Sequence, residues 1–176
     1  PPTCGAAAAV LVSEDFARRH GIDASVSIRA QAMTTDTPST FETRDMIDVV
    51  GADLTRRAAR KIYDAAGVGP EDLDVVELHD CFAQNELITY EGLGLCGEGE
   101  GEKFVNDGDN TYGGRYVTNP SGGLLSKGHP LGATGAIRAA TVVHGLRRTG
   151  GRYGMVTMCI GTGQGAAGII ERVDSL

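Results

Sequence analysis

The chain has 176 residues, of which 41% are hydrophobic, and this length suffices for one domain, residues 1–176, with a substantial core. Its formal net charge of −7 disfavours nonspecific binding to nucleic acid, and no apolar run approaches the roughly 20 residues of a membrane span. Four cysteines without a Cys-x-x-Cys pair predict reduced thiols rather than a disulfide scaffold or a metal site. We therefore expect a cytoplasmic protein with neither a nucleic-acid partner nor a bound metal.

The first part of the chain predicts strands that alternate with helices. Residues 6–12 form an apolar run typical of a strand, and Ser13 followed by two acids predicts a helix that ends at Gly21. Residues 24–33 alternate between apolar and polar side chains, as in a strand with one solvated face. Residues 34–43 are polar and predict a loop.

The rest of the chain predicts the same alternation and then a hairpin. Apolar side chains recur at helical spacing in three segments, residues 53–67, 84–93 and 133–146. Residues 73–78 predict a buried strand, and the glycine-rich residues 97–110 predict an exposed excursion that could gate a pocket. Residues 153–158 and 166–173 are too close for an intervening helix and predict an antiparallel hairpin. This order indicates an α/β fold with a mixed, mostly parallel five-stranded sheet and helices on both faces.

The candidate general base is His129, which lies in a glycine-rich loop between Asn119 and Gly135. The glycines leave room for a ligand, and Pro130 with Gly132 suits a sharp turn before a helix. An unprotonated imidazole can take a proton from a thiol or hydroxyl near neutral pH. From these residues alone, a solvated histidine in an ordinary loop is an equal alternative.

A second histidine and two cysteines lie at predicted strand ends. His79 and Cys81 follow the strand at 73–78, just before a helix whose N-terminus lowers a thiol pKa. Cys159 and Gly161 lie where a β-rich run meets glycines, so backbone N–H groups can point at a developing oxyanion. Each cysteine taken alone is more often a small core residue. Because parallel strands collect the loops that follow them at one sheet edge, we expect both histidines and both thiols to converge there.

Four sequence boxes occur in the order found in the C-terminal half of thiolases. They are His79-Asp-Cys-Phe82, Asp109-Asn-Thr-Tyr-Gly-Gly114, Gly128-His-Pro130 and Cys159-x-Gly161-x-Gly163. The chain resembles this half of the thiolase fold along essentially its whole length, and the first box resembles the sterol-carrier-protein type. The resemblance implies two similar halves layered across a pair of central helices. The expected partners are therefore an N-terminal half of the same protein and further copies, in a homodimer or tetramer.

The resemblance implies cleavage or formation of a carbon–carbon bond in a 3-ketoacyl-CoA, with CoA as substrate or product and no permanently bound cofactor. The acylated cysteine belongs to the N-terminal half, which has no counterpart here. His129 matches the family histidine that activates this cysteine and helps to polarise a thioester oxygen. His79 matches an oxyanion donor, and Gly161 matches the backbone donor of a second oxyanion hole. Cys81 matches the acid/base thiol of the sterol-carrier type and Cys159 that of other thiolases, so either thiol is a candidate.

Three residues of the glycine-rich loop are weaker candidates for substrate binding. Lys127 could meet a phosphate of CoA, with Ser126 beside it, and Asn119 could orient the loop. Each of these residue types is more often a plain turn or surface residue.

The leading hypothesis is the C-terminal domain of a 3-ketoacyl-CoA thiolase for long-chain, branched or sterol-derived acyl-CoA, inactive without its N-terminal half. One alternative is a thiolase-like aldolase of CoA-linked side chains that needs no nucleophilic cysteine, although His129 and Cys159 favour thiolysis. Another is a noncatalytic acyl-CoA-binding or assembly module. A eukaryotic source would allow a peroxisomal location, although residues 174–176 make a poor address.

Overall fold

The computed structural model of the protein describes residues 2–160 and 163–173. Its strands are β1 (Val26–Thr35), β2 (Leu73–Glu77), β3 (Val117–Thr118), β4 (Tyr153–Cys159) and β5 (Gln164–Arg172). Its α-helices are α1 (Glu14–His20), α2 (Ser39–Glu42), α3 (Met46–Val49), α4 (Ala52–Ala66), α5 (Ala83–Gly92), α6 (Gly101–Asn106), α7 (Gly123–Lys127) and α8 (Thr134–Thr149). Within the described ranges, no helix is long and apolar enough to cross a membrane.

The five strands form one mixed sheet in the order β1-β5-β4-β2-β3. β4, β2 and β3 pair in parallel, whereas β5 pairs antiparallel with both β4 and β1. Four strands therefore run in one direction and β5 runs against them. This confirms the predicted mixed five-stranded sheet and the predicted β4–β5 hairpin.

Helices cover both faces of the sheet, as predicted. Side chains of successive strand residues point to opposite faces. Val76 and Met155 accordingly join the larger apolar cluster with α4 and α5, whereas Val75 and Val156 pack with α8. β2 and β4 thus lie between two helical layers.

The predicted strand at residues 6–12 is wrong. In the structure this segment forms no strand, and its apolar side chains are exposed, with Val10 at 90%. A β-rich composition makes a strand only where another strand pairs with its backbone groups. The fifth strand is instead β3, which two residues form beside β2 and which the sequence pattern did not indicate.

The predicted excursion at residues 97–110 is largely exposed, as expected, but it contains a helix that the sequence did not indicate. α6 forms there, and its Phe104 is buried against the rings of Tyr90 and Tyr116 at centroid distances of 5.0 and 5.9 Å. Glu91 accepts a hydrogen bond from Gly101 N at 3.2 Å and so fixes the start of α6 on α5. Phe104 thus anchors this segment to the core, and the segment does not line the cavity described below.

The predicted loop at residues 34–43 is shorter than expected. β1 continues to Thr35, and the four-residue helix α2 follows Pro38. The sequence also gave no sign of α7 within the glycine-rich loop. α7 lies beside the candidate site, since Leu124 N of this helix donates a hydrogen bond to Asp80.

Candidate active site

Three of the predicted residues meet at one edge of the sheet. β2 and β4 run in parallel, so the chain reaches His79 and Cys81 after β2 at the same edge where β4 ends with Cys159. All three side chains line one cavity of about 550 Å³ between α4, α5 and the β4–β5 hairpin. The topology that the sequence predicted therefore places both thiols beside one histidine.

The second histidine lies against the first. The rings of His79 and His129 are 5.2 Å apart between centroids and nearly perpendicular, at 84°. His79 is almost completely buried, whereas His129 is partly exposed near the start of the loop that follows α7. Two imidazoles separated by 50 positions in sequence, His79 and His129, thus form one pair.

Hydrogen bonding assigns the tautomer of His129. Its Nδ1 lies 2.7 Å from Thr134 Oγ1, and this buried hydroxyl donates its proton to Pro130 O at 3.0 Å. Thr134 Oγ1 therefore accepts from Nδ1–H, which leaves the lone pair on Nε2. Burial lowers the pKa of His129, and the positive charge of Arg138 lowers it further. His129 is accordingly a neutral imidazole whose Nε2 can accept a proton.

His79 is a neutral imidazole in a more strongly desolvated position. Burial lowers its pKa to about 4, with further lowering by Arg138 and His129 and an opposing effect of Asp80. Its Nδ1 is buried and has no hydrogen-bond partner among the described residues. A neutral imidazole in this position can offer one N–H to an oxygen of a bound ligand.

The two thiols differ in their surroundings. Cys81 is half-buried just before α5, and Cys159 is exposed at the end of β4. Desolvation of the Cys159 sulfur in the cavity raises its pKa, and the neighbouring Cys81 adds to this rise. Both cysteines are reduced. Cys159 thus holds its proton at neutral pH, as a proton donor must.

A buried ion pair fixes the turn that carries His79. Asp80 Oδ1 accepts hydrogen bonds from Arg138 Nη2 at 3.0 Å and from Leu124 N at 2.8 Å. Arg138 lies on α8, is fully buried, and also donates to Thr157 O of β4 at 3.0 Å. A side chain at Gly123 would overlap with the Asp80 carboxylate, and the φ of 63° at Gly123 also favours glycine. Asp80 and Arg138 therefore join the His79 turn to α7, α8 and β4.

A second buried carboxylate holds the loop before His129. Glu77 accepts hydrogen bonds from Ser121 N at 3.1 Å and from Ser121 Oγ at 3.0 Å. Lys127 Nζ lies 3.2 Å from Glu77 and 2.6 Å from Ser121 Oγ. The role of Lys127 at a CoA phosphate stays a prediction, but in the structure its ammonium is already paired inside the protein.

Asn119 connects the same loop to β2 and α5. Its N donates to Val76 O at 2.8 Å, its Oδ1 accepts from Leu78 N at 2.9 Å, and its Nδ2 donates to Glu86 at 3.3 Å. Asn119 has a left-handed φ of 42°, a conformation that these contacts hold. The side chain thus orients the loop, while its predicted part in substrate binding stays untested.

Ser126 and Gly161 are the remaining candidates. Ser126 is exposed on α7, and its role also stays a prediction. Gly161, the predicted backbone donor, lies outside the described residues. Among the residues that the structure describes, no group of three His, Cys, Asp or Glu side chains is arranged to hold a metal ion.

The sequence analysis missed the residues that hold the site together: Glu77, Asp80, Thr134 and Arg138. Two signals were available. Asp80 stands between His79 and Cys81, and Arg138 falls on the buried stripe of α8 between Thr134 and Val142. A charged side chain at a core position of an amphipathic helix indicates a buried partner.

The fold and this site are those of a thiolase-like C-terminal domain. A family model described as thiolase C-terminal domain-like matches residues 33–175. The chain belongs to this family, as the resemblance in the sequence implied.

Three relatives illustrate the range of this family. The chain is 56% identical over 153 residues to sterol carrier protein 2 of Rattus norvegicus, which covers 86% of this chain and 28% of that protein. It is 43% identical to a benzoylsuccinyl-CoA thiolase subunit of Thauera aromatica, over 81% of this chain and 36% of the subunit. It is 40% identical to an acetyl-CoA acetyltransferase of Methanothermobacter thermautotrophicus, over 95% of this chain and 44% of that enzyme. The chain spans less than half the length of each.

Proposed function

We propose that this chain is the base-and-oxyanion half of a thiolase that transfers acyl groups between 3-ketoacyl-CoA and CoA. The observation that carries this proposal is the His129–His79 pair, in which the Nε2 lone pair of His129 is free beside a second neutral imidazole. In this proposal, an N-terminal half of the same protein supplies the nucleophilic cysteine. The active form is a homodimer or tetramer of such complete subunits.

The first half-reaction begins with proton transfer to His129. Its Nε2 takes the proton of the nucleophilic thiol, and the thiolate sulfur bonds to the keto carbon of the substrate. N–H groups of His79 and His129 stabilise the oxygen that becomes negative. The bond between the keto carbon and the α-carbon then breaks, and its electron pair stays on the α-carbon of the departing acetyl-CoA. This leaves an acyl group on the nucleophilic cysteine.

One of the two thiols completes the proton balance. Cys159 or Cys81 donates its proton to the α-carbon, and the resulting thiolate takes the proton of an incoming CoA thiol. The CoA sulfur attacks the acyl-cysteine, and the nucleophilic cysteine leaves as a thiolate and recovers its proton from His129. The raised pKa of Cys159 suits a proton donor to carbon, so we assign this role to Cys159 first.

The names of the relatives support the substrate class. They describe a sterol carrier protein and a thiolase of an aromatic acyl-CoA, benzoylsuccinyl-CoA. The third relative is named for acetyl-CoA, but it is less similar to this chain than sterol carrier protein 2 is, at 40% against 56% identity. We therefore propose long-chain, branched or sterol-derived 3-ketoacyl-CoA as the substrate class.

Acyl transfer to cysteine tests this function directly. The native full-length protein is mixed with a 3-ketoacyl-CoA in the absence of free CoA, and its intact mass is measured over time. We expect an adduct of the acyl mass that disappears when CoA is added. The variant His129→Gln should form this adduct about 100 to 10,000 times more slowly, the usual loss when a general base is removed.

The same experiment separates the alternatives. An aldolase and a noncatalytic binding module both leave the mass unchanged, and only the aldolase consumes its own CoA-linked substrate. The variants Cys159→Ser and Cys81→Ser are compared in the same assay with CoA present. If Cys81→Ser loses turnover and Cys159→Ser retains it, the assignment of the proton donor moves to Cys81.

A further inference from the structure

The box Asp109-Asn-Thr-Tyr-Gly-Gly114 has no part in the proposed chemistry, yet one of its side chains reaches the protein core. Asn110 Nδ2 donates a hydrogen bond to the hydroxyl of Tyr90 on α5 at 3.1 Å, and Tyr90 is fully buried. The backbone of the box is fixed on β3, because Asn110 O accepts from Thr118 N at 3.2 Å and from Thr118 Oγ1 at 2.8 Å. The box therefore presents one amide group to a buried phenol.

The Tyr90 hydroxyl extends this contact to a carboxylate. It donates to Glu86 Oε1 at 2.6 Å, one helical turn earlier on α5. Burial raises the pKa of Tyr90, and the hydrogen bond to Glu86 raises it further, so the phenol keeps its proton. Tyr90 is thus a donor to Glu86 and an acceptor from Asn110 at the same time.

Glu86 connects this chain of hydrogen bonds to the strand end that carries His79. Its Oε1 also accepts from Asn119 Nδ2 at 3.3 Å, and Asn119 Oδ1 accepts from Leu78 N at 2.9 Å. On the other side of His79, Asn85 Nδ2 donates to His79 O at 2.5 Å. Two adjacent residues of α5, Asn85 and Glu86, therefore hold the backbone on both sides of His79.

The imidazole of His79 depends on this backbone for its position. Its buried Nδ1 has no hydrogen-bond partner among the described residues, and its ring packs edge-on against His129. The described lining of the cavity includes neither Glu86 nor Tyr90. These two side chains therefore affect the site through their contacts and not by touching a substrate in the cavity.

We propose that Asn110, Tyr90 and Glu86 are positioning residues of the thiolase reaction. Acting through Asn119, they hold the N–H of His79 at the substrate oxygen. This inference rests on the proposed function, in which that N–H stabilises the oxygen that becomes negative. Because this stabilisation is greater in the transition state than in the ground state, loss of the position lowers kcat more than it raises KM.

Removal of the central hydroxyl tests the proposal. Tyr90→Phe in the native full-length protein breaks the contacts to Asn110 and Glu86 but keeps the ring that packs on Phe104. We expect kcat for a 3-ketoacyl-CoA to fall about ten- to a hundredfold, because a misplacement of about 1 Å can cost about a hundredfold. KM should change less than about twofold.

Tyr63→Phe is the matched control. Tyr63 donates to Leu93 O at 2.8 Å, so this variant removes a phenol hydrogen bond at the other end of α5. It should lose a similar amount of stability and keep its kcat. The value of kcat is calculated per mole of folded protein in each case. Equal losses in Tyr63→Phe and Tyr90→Phe, or no loss in Tyr90→Phe, would overturn the proposal.

Two variants of Glu86 separate positioning from proton transfer. Glu86→Gln keeps an oxygen that can accept from Tyr90 and Asn119, whereas Glu86→Met removes both contacts. Positioning predicts near-native kcat for Glu86→Gln and a loss like that of Tyr90→Phe for Glu86→Met. Equal losses in both variants would contradict the proposal, because they would follow from the ionisable group and not from the hydrogen bonds.

A double variant tests whether the residues act through His79. His79→Ala removes the imidazole, so Tyr90→Phe should lower kcat by a much smaller factor in this background than in the native protein. Equal factors in the two backgrounds would show that Tyr90 acts elsewhere, and the proposal would be wrong.

Hydrogen exchange distinguishes failure of this proposal from failure of the proposed function. If the native protein cleaves no 3-ketoacyl-CoA, the proposed function fails by itself. Exchange of the amides of residues 73–82, followed by mass spectrometry, then tests the network alone. The Leu78 N–H, which donates to Asn119, should exchange faster in Tyr90→Phe than in Tyr63→Phe. Faster exchange supports the network, and equal exchange overturns it.

Discussion

The two sides of the candidate site are built from different kinds of interaction. On one side, Asp80, Arg138 and Glu77 are buried charges that join the His79 turn and the His129 loop to α8 and β4. On the other side, α3, α4 and α5 surround a cavity with a mixture of aliphatic and uncharged polar side chains. Buried charges hold the first side, whereas apolar packing and hydrogen bonds between uncharged groups shape the second.

The two sides should respond differently to substitution. Hydrogen bonds and ion pairs require defined distances and angles, so a change on the polar side displaces the imidazoles or destabilises the fold. Aliphatic walls tolerate changes of volume at a modest energetic cost. We therefore expect substitutions on the charged side to cost more stability than changes of volume on the cavity side.

Removal of the buried guanidinium should give the largest effect. Arg138→Met keeps most of the side-chain volume but leaves Asp80 buried without its cation. We expect the free energy of unfolding to fall by about 3 to 5 kcal/mol, as is typical when one partner of a buried ion pair is removed. Urea unfolding of the native and variant proteins measures this loss.

A second substitution checks that the loss comes from the unpaired charge. Asp80→Asn in the Arg138→Met background removes the charge and keeps a side-chain oxygen for Leu124 N. The double variant should be more stable than Arg138→Met alone. The loss of stability in the double variant is compared with the sum of the losses in Arg138→Met and Asp80→Asn. If the two are equal, the residues are not coupled, and the contrast between the two sides is weakened.

Protonation of His79 should give the next largest effect. Burial lowers its pKa to about 4, below the ordinary value of 6.5, so between these values the unfolded chain binds more protons than the folded protein. The stabilising contribution is fully present above about pH 6.5 and is lost as the pH falls through about 4. The loss corresponds to about 3 kcal/mol. Urea unfolding between pH 4 and 7 checks it.

Other groups beside His79 titrate or carry charge, namely His129, Asp80 and Arg138. The free energy of unfolding is therefore compared between the native protein and His79→Asn at each pH, because this variant retains these neighbours. The variant should lose less stability than the native protein as the pH falls. If the free energies of unfolding of the two proteins change with pH in parallel, His79 is not desolvated in solution.

The elements that pack against the sheet could be predicted from the sequence. The spacing of Leu54, Ala58 and Ile62 predicted α4, and the hairpin followed from two close β-rich runs. Residues 6–12 and β3 could not be predicted, because pairing between strands depends on partners distant in sequence. α6 was missed because Phe104, its one large buried side chain, gives no apolar period.

Only part of the site could be predicted, because contacts between residues distant in sequence leave no local pattern. The positions of His79, Cys81 and Cys159 followed from strand ends, which are local features. The tautomer of His129 depends on Thr134, and the His79 turn depends on Arg138, contacts that no local pattern states. The cavity also required knowledge of α3, whose four residues are too few for a periodic signal.

The smallest effect should come from Lys127, at the outer edge of the polar side. Lys127→Met removes one charge-assisted contact to Glu77, but Ser121 still donates two hydrogen bonds to that carboxylate. We expect a loss of about 1 to 2 kcal/mol in the free energy of unfolding, with KM for CoA unchanged. Lys103→Met is the matched control, because Lys103 forms an exposed pair on α6 and should alter neither quantity. A rise in KM for CoA without a loss of stability would assign Lys127 to a phosphate of the substrate, and the rigid polar side would then end at Ser121.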